Sequence, residues 1–209
     1  MSGSSPLTLA PIEVVGRVLY RGGSPLVVRG VNYSPLLSYA ERETSPPDAF
    51  LRARAHLWER DLPLIASMGA NAVRIYNWDA NAHVADVSFL DACASHGLNV
   101  VLGVSNYYLD HPEHAPTIVT AVAQHPAMLM YAVSNEATRV GATDAPAVYT
   151  KVARLAKALR DAETALAATV TSDLRPWHPI GIPVTGNLGH LDLLKQSGAL
   201  ATTDVHMFQ

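Results

Sequence analysis

The sequence predicts an α/β fold, an incomplete (β/α)8 barrel of about six βα units, and three observations carry that prediction. Short apolar runs alternate with segments whose apolar residues recur at helical spacing. The runs are apolar throughout, which is typical of parallel strands covered on both faces. Polar and aromatic residues gather where the strands end, as in barrels that carry their functional residues at many strand ends. These strand-end residues are Asn32 and Tyr33, residues 76–79, residues 106–108, Asn135 and Glu136, and His206.

Six strands and five helices can be placed along the chain. Strands are expected at residues 26–33, 71–78, 99–104, 128–134, 182–185 and 203–208. Helices are expected at residues 50–68, 88–97, 117–124, 149–162 and 191–197. We expect residues 1–25 to form an N-terminal tail with room for a leading hairpin, and residues 26–209 to form the partial barrel.

Two helix boundaries carry specific expectations. Pro63 interrupts the first helical pattern, so either the helix bends there or a second helix starts with Asp61 as its N-cap. Ser88 and Asp91 have the spacing of a capping box, which predicts a helix start at Ser88. Gly69 is placed to end the first helix.

A doubly wound sheet is the alternative to a barrel. No Gly-x-Gly-x-x-Gly turn follows the first strand, and no phosphate loop of the Gly-Lys-Ser type occurs. Both absences weaken a nucleotide-binding interpretation and favour the barrel.

The composition excludes several classes of partner. The 209 residues are 49% hydrophobic and 16% charged, with a net charge of −3, as in a soluble globular protein. No Lys or Arg cluster indicates nucleic acid or an anionic membrane. Cys93 is the only cysteine, which excludes an internal disulfide, and we expect no metal or other cofactor. No secretory signal or membrane-spanning run is recognisable, so a cytoplasmic location is the default expectation.

Strand periodicity predicts which side chains of the second strand enter the barrel. Val73 and Ile75 suit the face covered by helices, so Arg74, Tyr76 and Trp78 are expected to face the barrel axis. An inward arginine is costly unless a carboxylate lies opposite it. A structural ion pair is the alternative to a functional role for Arg74.

The fourth strand ends in Asn135 and Glu136. Ala132, Ser134 and Glu136 share one face, and the small residues leave space before the glutamate. Burial among aromatic rings would favour the protonated form of Glu136, which suits a proton donor. A solvated loop glutamate is the alternative.

The sixth strand places Asp204 and His206 on one face. Asp204 comes early in the strand, near the bottom of the barrel, where we expect it to serve stability. His206 lies nearer the top and is a supporting candidate for the site.

The segment around Glu136 resembles a known family. Residues 125–136, His-Pro-Ala-Met-Leu-Met-Tyr-Ala-Val-Ser-Asn-Glu, resemble the fourth-strand signature of the clan A glycoside hydrolases. These are retaining β-glycosidases and transglycosylases built on a (β/α)8 barrel. Residues 28–35 resemble that clan's first strand, residues 61–76 its first helix and second strand, and residues 89–102 the next helix and strand. The resemblance covers residues 26–136 well and is thin beyond them.

The resemblance implies a role for each matching residue. Glu136 would be the general acid/base, and Asn135 would hydrogen-bond the 2-hydroxyl of the sugar. Arg74 would orient and charge-stabilise the nucleophilic carboxylate, and His206 would lie near it. Aromatic and polar side chains would line the sugar subsite, and these are Asn32, Tyr33, Tyr76 and Trp78.

One departure from the clan's pattern is large. Retention needs a second carboxylate about 5–5.5 Å from the acid, and in this clan a glutamate ending the seventh strand supplies it. Asp79 and Asp110 follow the second and third strands instead. We therefore expect the N-terminal part of a barrel, without strands seven and eight and with the nucleophile outside the chain. Such a chain is expected to be inactive alone and to self-associate through its open edges.

The substrate is expected to be an oligo- or polysaccharide, and its identity stays open. Residues 28–35 and 73–76 are closest to β-1,3-glucanosyltransferases, whereas the His-Pro-Ala start of strand four is closer to β-galactosidases and β-glucuronidases. The alternative function is a truncated, non-catalytic carbohydrate-binding or scaffold barrel. A sugar-phosphate isomerase or aldolase fits less well, because no phosphate-binding loop after strand seven or eight is in view.

Overall fold

The computed structural model describes residues 5–35, 49–79, 86–135, 145–170, 176–184 and 190–208. A three-stranded antiparallel sheet comes first, with strands β1 (Ile12–Val15), β2 (Val18–Arg21) and β3 (Ser24–Pro25). A six-stranded parallel sheet follows, with strands β4 (Gly30–Asn32), β5 (Ala72–Trp78), β6 (Asn99–Val104), β7 (Met128–Val133), β8 (Ile180–Val184) and β9 (Val205–Phe208).

Helices separate the parallel strands. They are α1 (Ala55–Ser67), α2 (Ser88–Ser95), α3 (Ala115–Val122), α4 (Ala145–Thr169), α5 (His190–Gln196) and α6 (Ala199–Thr202). Short 3-10 helices lie at Arg52–Arg54, Asn106–Leu109 and Pro112–His114. Among the described helices, none is long and apolar enough to cross a membrane.

The order of the strands decides between the two predicted architectures. Each parallel strand pairs with the next one along the chain, from β4 to β9. A doubly wound sheet reverses its order at a switch point, whereas a barrel wall does not. The predicted α/β class is confirmed, and the sheet is part of a barrel wall with β4 and β9 as its edges in the described ranges.

Both faces of the central strands are covered. Every residue of β6 and β7 is buried. Helices pack on the outer face, and the N-terminal hairpin packs on the inner face, where Ile12 meets Val101 and Met130. Arg21 Nη2 donates to the carbonyl oxygen of Pro126, just before β7, at 2.5 Å. The hairpin therefore closes the inner face at the amino-terminal end of the strands.

The first helix runs without a break through Pro63. The N-cap alternative for Asp61 is wrong, because Asp61 lies inside α1. Its carboxylate instead accepts hydrogen bonds from Tyr33 and Arg60. Pro63 and Glu59 are both exposed, so the carbonyl of Glu59 that lacks a helical donor faces water.

The second helix begins at Ser88 as predicted, but the capping box is wrong. The capping position is Val87, and its side chain makes no hydrogen bond to the helix. Asp86 Oδ1 accepts from the Ser88 amide at 3.1 Å and also from the Ser88 hydroxyl. The carboxylate that fixes this helix start therefore precedes the helix, and Asp91 is not the partner of Ser88.

The first parallel strand is shorter than predicted. Leu26 bonds the hairpin through its amide, and Val27 and Val28 are exposed. The side chain of Asn71 bonds the backbone of this stretch, accepting from the Arg29 amide and donating to the Val27 carbonyl. The Asn71 side chain thus provides hydrogen bonds that the backbone of a neighbouring strand would otherwise have provided.

Candidate functional site

Arg74 lies on the inner face of β5 and reaches the end of β7. Its Nη2 donates to Asn135 Oδ1 at 2.6 Å, and its guanidinium lies 4.7 Å from the centre of the Tyr76 ring. Val73 and Ile75 pack in the core on the helix side, as predicted. The inward orientation of Arg74 is confirmed, and the amide oxygen of Asn135 is one of its partners.

Asn106 holds the backbone of Asn135 in place. The Asn135 amide donates to Asn106 Oδ1 at 2.9 Å, and Asn106 Nδ2 donates to the Asn135 carbonyl at 3.3 Å. We call Arg74, Asn106 and Asn135 the strand-end group. The sequence placed Asn106 at a strand end without giving it a role. The signal that could have found it is the one that marked Asn135, a polar residue directly after a buried strand.

Backbone strain occurs directly before Asn135. Ser134 is buried and has a positive φ of 64°, a conformation that costs a residue with a β-carbon about 1–2 kcal/mol. Its amide donates to the Val104 carbonyl at 3.2 Å. The unusual turn sets the direction in which the chain leaves β7. Strain of this kind concentrates at functional sites.

A bulge in β5 reverses the direction of Trp78. Relative to β6, β5 carries one extra residue between Ile75 and Trp78, and Asn77 there has a φ of 54°. Trp78 therefore faces the helix side, where it is fully buried and stacks on Phe50 with ring centres 6.4 Å apart. The prediction that Trp78 faces the barrel axis is wrong, and a ring buried there cannot line a subsite in the barrel.

Tyr33 also belongs to the core on the helix side. It is buried, its ring stacks on Phe89, and its hydroxyl donates to Asp61 Oδ2 at 3.1 Å. Burial, together with the Asp61 carboxylate, raises the pKa of the Tyr33 phenol, so it keeps its proton. Asn32 is exposed and lies beside Arg74 in the register of β4 and β5. Neighbouring residues face opposite sides, so Tyr33 does not line the predicted subsite.

The structure does not describe the side chains of two predicted site residues. Glu136 follows Asn135 directly and is itself beyond the described ranges. His206 lies in β9, opposite Ile182 of β8, and its side chain is not described. The roles of both residues stay predictions, as do the sugar contacts of Asn32 and Tyr76.

The two other carboxylates at strand ends have partners. Tyr108 donates its hydroxyl to Asp79 Oδ1 at 3.4 Å. Asp110 pairs with Lys151 Nζ at 2.6 Å, and that hydrogen bond lowers the pKa of the Asp110 carboxyl. Over the described ranges, no group of three or more His, Cys, Asp or Glu side chains is arranged to hold a metal ion.

A second polar cluster, which we call the Glu163 network, is buried where α4 packs on β7 and β8. Glu163 accepts from Arg160 Nη1 at 3.0 Å, from the His178 amide at 3.1 Å and from the Tyr131 hydroxyl at 3.3 Å. His178 Nδ1 lies 2.6 Å from Glu163 Oε1. Asp204 Oδ2 accepts from the Ile180 amide and from Arg160, both at 2.8 Å. These contacts support the structural role predicted for Asp204, and its effect on stability stays a prediction.

No family model and no curated protein matches this chain. Solved structures do match it. Saccharomyces cerevisiae Gas2p in complex with laminaritriose and laminaritetraose is 22% identical, with a TM-score of 0.63 over 88% of this chain and 41% of that chain. Gas2p in complex with laminaripentaose is also 22% identical, with a TM-score of 0.62 over 88% of this chain and 42% of that chain.

A second kind of structural neighbour covers even more of the chain. A glycosyl hydrolase family 2 member from Bacteroides cellulosilyticus is 16% identical, with a TM-score of 0.64 over 97% of this chain and 24% of that chain. The chain thus spans less than half the length of each of these proteins. At such identities the likeness concerns the fold, and the resemblance seen in the sequence is confirmed at that level. This chain has the same fold as the part of each of these solved structures that it covers.

Proposed function

We propose that this chain carries the acid/base half of a retaining β-glycoside hydrolase or transglycosylase site. The observation that carries the proposal is the strand-end group, which is hydrogen-bonded together directly before Glu136. Arg74 binds Oδ1 of Asn135, so Nδ2 is the end of that amide that would donate to a sugar hydroxyl. Glu136 would donate its proton to the oxygen of the leaving sugar.

The nucleophile, on this proposal, comes from outside the 209 residues. Asp79 and Asp110 already hold Tyr108 and Lys151, and the matching solved structures are more than twice as long. An incoming carboxylate would meet the guanidinium of Arg74, whose planar fork suits it. Self-association through the edges β4 and β9 stays a prediction.

The test supplies the missing nucleophile as azide. Azide attacks the anomeric carbon opposite the leaving group, the C1–O bond breaks, and the proton of Glu136 goes to the leaving oxygen. The product is an α-glycosyl azide. We expect the 209-residue protein to release phenol from phenyl β-laminaribioside only when azide is present. Glu136→Gln should lower that rate by about 10²–10⁴-fold, and by less for a dinitrophenyl leaving group, which needs little protonation.

The matched control is Glu59→Gln, an exposed glutamate on α1. It should leave the azide-dependent rate unchanged. Turnover without azide would contradict an external nucleophile, and equal losses for both leaving groups would contradict Glu136 as the acid. Oligosaccharide binding without any azide product would contradict catalysis and favour the non-catalytic carbohydrate-binding barrel.

A further inference from the structure

We propose that Tyr107 and His111 form a second sugar platform beside the strand-end group, and that its ligand is a further pyranose ring of a β-linked oligosaccharide. This inference rests on the proposed function and adds the length of the substrate to it. Tyr107 lies on the 3-10 helix Asn106–Leu109 that follows β6, and His111 directly precedes the next one, Pro112–His114, at the carboxyl end of the sheet.

The platform is a direct neighbour of the strand-end group. Tyr107 follows Asn106 in the chain, so their Cα atoms are about 3.8 Å apart. Asn106 exchanges two hydrogen bonds with the backbone of Asn135. On this proposal, an oligosaccharide bound at Asn135 extends past Asn106 to Tyr107.

The Tyr107 ring is stacked on one face by His111, and the side chain is still exposed. It stacks on the His111 ring with centres 4.3 Å apart and planes 25° apart, and it meets Tyr108 edge-on at 5.2 Å. The side chain nevertheless remains 55% exposed. A tyrosine held this way presents apolar ring surface to the solvent, which would match the apolar face of a pyranose.

The loop that carries the platform is fixed before any ligand arrives. Ser105 Oγ accepts from the Tyr107 amide at 3.3 Å, and Asp110 pairs with Lys151 of α4. His111 Nδ1 lies 3.1 Å from Glu113 Oε1, which orients the imidazole. Because these contacts order the rings in advance, sugar binding does not include the entropic cost of ordering them.

Trp177 provides the matched comparison. Its ring is 36% exposed and lies over the Arg160 guanidinium at 4.8 Å, at the hairpin end of the molecule. It is therefore an exposed, stacked aromatic ring that does not adjoin the strand-end group. Trp177→Ala tests whether loss of any exposed ring produces the effect.

The experiment is a calorimetric titration of the full chain with laminaribiose and with laminaripentaose. We expect Tyr107→Ala to weaken laminaripentaose binding by about three- to tenfold and to leave laminaribiose binding unchanged. Tyr107→Phe should keep the wild-type affinities, because the ring face is retained, and Trp177→Ala should keep them too. Thermal unfolding of each variant confirms that the fold is intact.

Two results would overturn the platform and leave the proposed function standing. One is unchanged laminaripentaose affinity in Tyr107→Ala. The other is an equal loss for both oligosaccharides, which would place Tyr107 in the first subsite. If the unaltered chain binds neither oligosaccharide, the proposed sugar site itself is refuted.

Discussion

The strand-end group and the Glu163 network use similar chemistry in opposite ways. In both, an arginine donates to an acceptor on a neighbouring element: Arg74 donates to Asn135, and Arg160 donates to Asp204. Glu163 is 1% exposed and holds four contacts to Tyr131, Arg160 and His178. Asn106 is exposed and Asn135 is half-buried, at an edge where the strands end. A closed network stabilises the fold, whereas an open group retains polar atoms that can meet a ligand.

The largest expected effect comes from breaking the closed network. Glu163→Leu removes the carboxylate that pairs with Arg160 and leaves the buried His178 and Tyr131 without this acceptor, which should lower the free energy of unfolding by about 3–5 kcal/mol. Urea denaturation measures it. The control is Asp161→Asn on the same helix, which removes an exposed pair with Lys157 and should cost less than about 0.5 kcal/mol. Similar losses in both variants would refute a special stabilising role for the buried network.

A smaller effect is expected where the backbone supports the open group. A β-carbon on Gly103 would overlap the Ile75 carbonyl oxygen and would lie 3.0 Å from the Cα of Tyr76, at the β5 bulge. Gly103→Ala should therefore lower the free energy of unfolding by about 1–3 kcal/mol and weaken laminaripentaose binding.

The matched control for Gly103 is Gly30→Ala in β4. A β-carbon at Gly30 meets its neighbours at 3.6 Å or more, an ordinary contact distance. Urea denaturation of the two variants should separate them clearly. If Gly103→Ala is tolerated as well as Gly30→Ala, the bulge does not depend on the absence of a β-carbon at position 103.

The smallest effect on stability is expected at Arg74. Arg74→Lys keeps the charge and loses the planar fork, so it should change the free energy of unfolding by only about 1 kcal/mol. Laminaripentaose affinity should nevertheless fall several-fold, because the Asn135 amide loses its fixed orientation. Urea denaturation and titration measure the two quantities. A large loss of stability with unchanged affinity would instead support the structural alternative for Arg74.

Periodicity predicted the strands and the open group because both follow from local pattern. The continuous apolar runs of β6 and β7 predict strands buried on both faces, and every residue of both strands is buried. Arg74 between Val73 and Ile75 predicts an inward arginine, since alternation along a strand needs no knowledge of its neighbours. The polar residue Asn135 marks a strand end in the same way.

The Glu163 network was not predicted from the sequence. A glutamate on an amphipathic helix is normally solvated, and nothing local marks Glu163 as buried. Its partners Tyr131 and His178 lie 32 and 15 residues away. Only the packing of α4 against β7 and β8 brings them together.

The sequence by itself determined the alternating α/β order, the inward Arg74 and the polar strand ends, because each depends on residues within one strand or helix. The tertiary structure decided which strand-end rings face the barrel. One extra residue in β5 reverses Trp78, and the bulge fits only because Gly103 on β6 has no side chain. The tertiary structure also decided that Arg74 contacts Asn135, which is 61 residues away in the chain. Strand order and register bring these two residues together, and neither can be read from a local sequence pattern.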